Sequence, residues 1–418
     1  MAKIKEELTG SNPWWKGEFR IEYKDRDIYG QISKFLPMPQ IIALTGLRRV
    51  GKTTIMLKLV EDYITGGFEP KNILYFSFDE FREIEIRELL EAYEELVEKN
   101  IKQGKFLLLL DEIQKLKNWE DQIKRIYDAH GKNIKIAISG SESLFVKRKS
   151  KETLAGRIFE FRVDPLSFNE FLKFKGVAFK PPGLYEKETS RLFNEFALTL
   201  GFPEMIGITD KDIIKKYVKE SIVEKIVYRD IPQIFQIDNV EILKSLLNII
   251  SEEPGQLVEL SKLASELGIS RQTTSNYLTY LEESFLINKL YNFSKNRRKV
   301  ERKLKKYYPA IISPDILFKE DDHNKSRLFE WLAITQLKAE FFWRDPYKNE
   351  VDAVIGKEPT PVEVKYGRID TKGLLAFMKK FNVKKGYILS PNKEEKLKVE
   401  GMVIEIVPAF KFLLEHHI

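Results

Sequence analysis

The sequence has no cysteine, and its 418 residues include only four histidines, two of them at the C-terminal end. With no thiol there is neither a disulfide framework nor a cysteine nucleophile, and so few imidazoles make a zinc site a poor expectation. Long hydrophobic runs are missing too. Stretches such as Phe106 to Leu110 end in charge far short of the roughly 20 apolar residues that span a bilayer. There is no low-complexity tract, no internal repeat and no secretory signal pattern. A strong charge of one sign is also lacking: Lys+Arg of 70 against Asp+Glu of 63 leaves +7, so a polyanion site must come from local clustering. These features predict a cytoplasmic protein of two or three domains, with no membrane partner.

What is present starts near residue 41. "IIALTG" has the pattern of a short buried strand, and Gly46-Leu-Arg-Arg-Val-Gly51-Lys52-Thr53 fits GxxxxGK[ST]. "TIMLKLVEDYI" then continues at helical spacing, with Ile55, Leu59, Val60 and Tyr63 on one side. Strand, glycine-rich loop and helix in this order make a phosphate cradle. Gly46, Val50, Gly51 and Thr54 belong to its backbone, Lys52 reaches the outer phosphates, and Thr53 is a magnesium ligand. Arg48 and Arg49 fit either nucleotide binding or solvent exposure.

Such a loop needs an acidic partner on another strand, and "KFLLLLDEIQ" supplies one. Its continuous apolar run predicts a strand buried on both faces, with Asp111 and Glu112 at the C-terminal end, where open α/β sheets hold ligands. Asp111 is expected to hold magnesium and Glu112 to polarise the attacking water, which points to ATP hydrolysis. "IKIAISGSES" predicts a further strand, placing Ser139 or Ser141 where it could sense the γ-phosphate. A plain loop N-cap explains either serine equally well.

Together with "NPWW" at Asn12 to Trp15, "LAGR" at Leu154 to Arg157, "DPLSFNEF" from Asp164, "GFPE" from Gly201 and "YRDIP" from Tyr228, these segments carry a resemblance. The chain resembles, over nearly its whole length, archaeal ATPases of the AAA superfamily that have a winged helix and a restriction-endonuclease-like C-terminal domain. The resemblance implies that Arg157 contacts the triphosphate as finger or sensor, and that residues from about 165 to 235 form a helical lid. By its own sequence context Arg157 could as well form a structural salt bridge. The adjacent tryptophans of "NPWW" more often anchor a terminal segment than stack a ligand.

The middle of the chain changes character. Leu260, Leu263, Ala264 and Leu267 make one apolar face, Gly268 permits a tight turn, Ser270 is a natural N-cap, and Thr274, Tyr277, Leu278 and Leu281 continue on a second helix. This is helix-turn-helix spacing. It exposes Arg271, Gln272, Ser275 and Asn276, residue types that reach phosphates and base edges. From Lys289 to Lys306 follow nine lysines and arginines with one glutamate, as expected of a basic wing along duplex or branched DNA. Winged helices also dock proteins, and basic runs also serve as solvated faces.

Near the C-terminus "EVDAVIGKEPTPVEVKYG" reads as two alternating strands joined by a Gly/Pro-rich turn. Period-two alternation puts Glu363 and Lys365 on one face, with Asp352 near the start of the first strand. An acid, a hairpin and Glu-x-Lys form the constellation of the PD-(D/E)xK nucleases, with Asp352 and Glu363 binding Mg2+ and Lys365 orienting water. Glu330, on an upstream amphipathic helix, is expected to complete the metal shell. No Pro-Asp precedes the site, and Glu-Val-Lys is also met as a plain ion pair on an exposed strand, so fold and cleavage stand apart.

The resulting expectation is an α/β protein. Residues 1–164 form a P-loop AAA-type ATPase core, 165–235 a helical lid, 236–309 a winged helix-turn-helix, and 310–418 a restriction-endonuclease-like α/β domain. ATP and Mg2+ are its cofactors and DNA its partner, with homo-oligomerisation left open. The rival is a nucleotide-controlled signalling switch whose nuclease-like domain is inactive. A small-substrate P-loop kinase is disfavoured, because the lid leads into a winged helix and not a substrate domain.

Overall fold

The computed structural model describes residues 1–141, 152–177, 185–296, 298, 300 and 304–416. The chain divides into two compact units, Met1–Asp164 and Pro165–Ile418. The first is built on five parallel strands: β1 (Ile41–Thr45), β2 (Ile73–Ser77), β3 (Phe106–Asp111), β4 (Ile134–Ser139) and β5 (Ile158–Arg162), in the order β2-β3-β4-β1-β5. β1 and β3 are buried along their whole length, which is why both read as unbroken apolar runs.

Parallel pairing brings the C-terminal ends of these strands to one edge. Leu44 lies beside Ser139 and Ser77 beside Asp111, so the loop after β1, the acids ending β3 and the serine ending β4 share that edge. β2 is the outermost strand on its side, and the "NPWW" segment occupies its open edge. The Asn12 side chain donates to Tyr75 O at 2.9 Å and accepts from Tyr75 N at 2.8 Å, copying one rung of a strand pair. Trp14 and Trp15 both donate their indole N–H to Ile73 O. The two tryptophans are therefore anchors that satisfy an exposed sheet edge.

In the second unit the segment expected as a lid contributes the helices Phe168–Phe174 and Glu186–Thr199, joined by packing among Phe168, Phe171, Phe193 and Phe196. A capping box of Ser167 and Glu170 starts the first of them. Further on, the Leu260–Leu267 and Arg271–Glu283 helices are joined through Gly268, whose φ of +66° closes the turn, and Ser270 accepts from Thr273 N at 3.0 Å.

Nine strands form one continuous sheet in this unit. β6 (Gln256–Val258), β8 (Lys305–Pro309) and β7 (Ile287–Asn292) are antiparallel, and β7 pairs in parallel with β9 (Phe341–Arg344). The sheet continues through β10 (Glu350–Ile355), β11 (Thr360–Val364), β12 (Lys385–Ser390), β14 (Met402–Pro408) and β13 (Glu395–Val399). It therefore runs across the boundary expected near residue 310. Among the described residues no helix is long and apolar enough to cross a membrane.

Candidate functional site

The glycine-rich loop is shaped by backbone that side chains resist. Gly46 has φ +140° and Gly51 φ +96°, and a Cβ on Gly46 would stand 2.2 Å from Val163 O. Gly46→Ala must push the loop off the adjoining chain. Nucleotide affinity is expected to fall at least about tenfold, with a stability loss above roughly 1 kcal/mol, as read by nucleotide titration and thermal melting. Unchanged values for both would contradict this role for the glycine.

Lys52 is buried, and its ammonium donates to Gly46 O at 3.0 Å and Leu47 O at 2.8 Å, curled into the loop it is expected to serve. The Lys52–Thr65 helix starts at Gly51 with no side-chain cap, which leaves its first N–H groups to an anion. Val50 is buried, Arg48 half-buried, and Arg49, Thr53 and Thr54 exposed, with Arg49 at φ +64°. Thr53 Oγ1 donates to Asp111 Oδ2 at 2.7 Å, so the two expected magnesium ligands already touch. Asp111 also accepts from Ser139 Oγ, from Tyr75 OH at 2.9 Å and from Glu112 N at 3.1 Å. The loop, the acid and a third strand are thereby locked together. Burial first, and Asp111 second, push the Tyr75 phenol far above its usual range, so it stays a donor.

Glu112 leaves β3 in left-handed backbone, φ +52°, a conformation that costs a non-glycine residue energy and clusters at functional sites. Its carboxylate accepts from Gln114 Nε2 at 2.7 Å and Ser141 Oγ at 3.3 Å, with Lys115 Nζ at 3.7 Å. Of the two serines, Ser139 thus donates to Asp111 and accepts from Glu112 N at 3.3 Å, and Ser141 addresses the Glu112 carboxylate.

The residues fit a magnesium nucleotide. They offer a cradle that only glycine can form, uncapped helix N–H groups, a buried lysine and a paired threonine and aspartate. Arg26 and Tyr75 had no motif to announce them, and Gln114 stood in the quoted DEIQ segment without an assigned role. Arg26 is buried and donates to Val50 O and Asp164 O at 2.7 Å each, tying the loop to the exit of β5.

Arg157 is not brought to this site. It precedes β5, whose first residue Ile158 pairs with Ile41 at the start of β1, so it lies at the opposite edge of the sheet. There it forms an ion pair with Asp128 at 2.9 Å. Parallel strands of five residues place that edge roughly 15 Å from the loop, beyond the reach of an arginine in its own chain.

The second group of expected residues does converge. The register of β10 with β11, Ala353 beside Val362, sets Asp352 against Glu363, and a register shift between Val351 and Val354 re-aims this part of β10. Asp352 Oδ2 accepts from Val364 N at 2.9 Å, and Glu363 Oε1 pairs with Lys365 Nζ at 2.7 Å. Glu330, on the Asp322–Gln336 helix, accepts from Tyr308 OH at 2.8 Å. Burial, reinforced by Asp352, raises both Glu330 and Glu363 above the ordinary carboxylate range. Glu363 Oε2 is buried without a hydrogen-bond partner.

Lys306 departs from its expected place. Read as the end of a basic wing, it is instead 3% exposed on β8, with Nζ 2.5 Å from Glu350 Oε1 and 3.5 Å from Asp352 Oδ1. β8 lies between β6 and β7, and this lysine faces the acids and not solvent. Burial alone would lower its pKa, but Asp352, Glu350 and Glu330 reverse that and raise it. Among the described residues no three carboxylate or imidazole groups stand ready, as they are, to hold a metal ion.

Comparison with known proteins matches residues 38–172 to an AAA domain and residues 190–310 to a domain of unknown function. An uncharacterized protein of Methanocaldococcus jannaschii is 30% identical over 412 residues, covering 90% of this chain and 89% of that one. A second from the same organism is 28% identical over 410 residues, covering 90% and 85%. Among solved structures, a RuvB variant of Thermotoga maritima aligns with a TM-score of 0.33 at 18% identity, over 63% of this chain and 88% of that one, a likeness too distant to bear on function. The parallel sheet with its glycine-rich loop thus falls in the segment that matches an AAA domain, and the chain belongs to the same protein family as the 30%-identical Methanocaldococcus jannaschii protein.

Proposed function

We propose that this protein is a Mg2+-dependent ATP hydrolase that binds DNA through a winged helix and couples nucleotide state to a nuclease-like acidic cluster. The observation that carries the ATPase reading is the Thr53–Asp111 hydrogen bond with Glu112 as the next residue, which assembles loop, magnesium ligands and water-orienting carboxylate in one place. Thr53 and Asp111 would hold magnesium, and the ion would supply charge neutralisation for the phosphates. Lys52 turns from the loop carbonyls toward the transferring phosphate, and Glu112 orients the water and accepts its proton. Arg48, Arg49 and Thr54 line the entrance. A triphosphate contact by Arg157 requires a second copy of the chain.

The DNA reading is supported by the two helices joined at Gly268, followed by β7 and β8 with β6 beside them, the element order that a winged helix calls for. Arg271, Gln272 and Asn276 are exposed on the second helix, and Gln272 donates to Asn276 at 3.0 Å, a paired amide suited to a base edge. Arg298 and Lys295 are exposed, while Arg297, Lys299, Arg302 and Lys303 lie outside the described residues.

At the acidic cluster Asp352, Glu363 and Lys365 take the ligand and water-orienting roles, with Glu330 behind them. The ion pairs of Lys306 favour a second reading, in which this cluster is silent and the domain serves a nucleotide-controlled switch. Duplex and branched DNA binding measured by anisotropy with Mg2+ and either ADP or a non-hydrolysable ATP analogue tests the coupling. An affinity that differs at least about fivefold between the two states is expected. Equal affinities in both states would remove the coupling.

A further inference from the structure

The acidic cluster meets two lysines that differ in burial, Lys306 at 3% exposed and Lys365 half-buried. Lys306 Nζ sits between Glu350 and Asp352, and Tyr308 OH bonds Glu330. The chain at Gly255 passes close to Tyr308 and Glu330: a Cβ there would lie 2.7 Å from Tyr308 OH and 2.8 Å from Glu330 Oε1. Beside Lys365, Glu363 Oε2 stands without a hydrogen-bond partner. Four carboxylates this close need opposite charges nearby: Glu350 also pairs with Arg344 at 3.0 Å and Glu363 with Lys365 at 2.7 Å, while the cation beside Asp352 is Lys306.

We propose that Lys306 is the built-in cation of this cluster, filling the enclosed position between Glu350 and Asp352 and leaving one exchangeable position, against Asp352 and Glu363, for a single divalent ion. This rests on the reading of the cluster as a divalent-ion site. A tethered ammonium suits the place of Lys306, itself 3% exposed, because a free ion there would need an entry path and a full set of fixed ligands. The exchangeable side retains an unsatisfied carboxylate oxygen, and Lys365 beside it is only half-buried. Lys306 comes from β8, the strand that closes the basic segment, so the winged helix supplies the charge that completes the C-terminal cluster.

Manganese binding to the full chain without nucleotide tests this, with Asp111→Asn present so that the ATP site holds no ion. Electron paramagnetic resonance counts bound Mn2+, and thermal melting reports stability. One ion per chain, lost on Glu363→Gln, is expected. No such ion would overturn the divalent-site reading by itself. Lys306→Met is expected to melt lower in EDTA, to take up a second ion, and to show a Mn2+-dependent rise in melting temperature roughly twice that of the Lys306 protein. That second ion should disappear in Lys306→Met with Asp352→Asn. If Lys306→Met takes up no additional Mn2+ and shows the same shift as the Lys306 protein, the proposal for Lys306 is overturned. Should that variant fail to fold in EDTA, Lys306→Gln purified in Mn2+ decides: unfolding on chelation supports the proposal, and misfolding with Mn2+ present defeats it.

Discussion

Replacing Lys52 with alanine is expected to abolish ATP hydrolysis, lowering turnover by roughly 10²–10³ or more. Its ammonium is the buried cation of the glycine-rich loop, and removing it leaves the developing phosphate charge without that partner. Glu112→Gln should give a different pattern. The amide cannot accept the water's proton, so turnover should fall by at least about 100-fold, while Asp111, Thr53 and the loop still bind Mg-ATP. Steady-state phosphate release and nucleotide titration on the two variants separate these effects. Turnover by Glu112→Gln at the unsubstituted rate would refute its assignment.

Reversing Arg297, Arg298, Arg302 and Lys303 to glutamate should have the second-largest effect. If these residues neutralise phosphates, each releases counterions, and the dependence of log affinity on log salt should flatten by as much as about 0.9 for every phosphate no longer neutralised. Affinity should fall for every sequence alike, because backbone contacts carry no base information. Gln272→Ala should instead alter preference among sequences and leave the salt slope in place. Lys306 is excluded from the reversed set, because its charge is spent on Glu350 and Asp352. An unchanged affinity and salt slope in the fourfold variant would show that this segment does not follow a DNA backbone.

The candidate nucleotide site was legible because its residue pattern is local. A strand, two glycines and Lys52-Thr53 lie within one short stretch, and Asp111 and Glu112 end an apolar run that could only be a buried strand. Trp14 and Trp15 were legible as anchors, though not that they serve the open edge of β2. The pairing of distant segments was hidden. Nothing in the composition of the Tyr23–Tyr29 region indicates that Arg26 ties down Val50, or that Tyr75 reaches Asp111 from a neighbouring strand.

Arg157 shows the limit of reasoning from resemblance. The resemblance implied a triphosphate contact as finger or sensor, while the residue's own context left a salt bridge open; parallel register sends the start of β5 to the far edge of the sheet, where Arg157 pairs with Asp128. Lys306 shows the limit of reading charge runs. A lysine within nine cations looks solvated, yet alternation along β8 turns this one inward toward the acids while Lys305 stays half-buried. Glu330, Asp352, Glu363 and Lys365 were found by strand and helix periodicity, and the structure does bring them together.

The central claim is hydrolysis of Mg-ATP by this chain with DNA as its partner, and phosphate release is its most direct measure. Purified protein should release phosphate from ATP with Mg2+, lose that activity with EDTA or on Lys52→Ala, and change its rate when duplex or branched DNA is added. No phosphate release with Mg-ATP, with or without either DNA, from protein shown to be folded by melting would contradict the account.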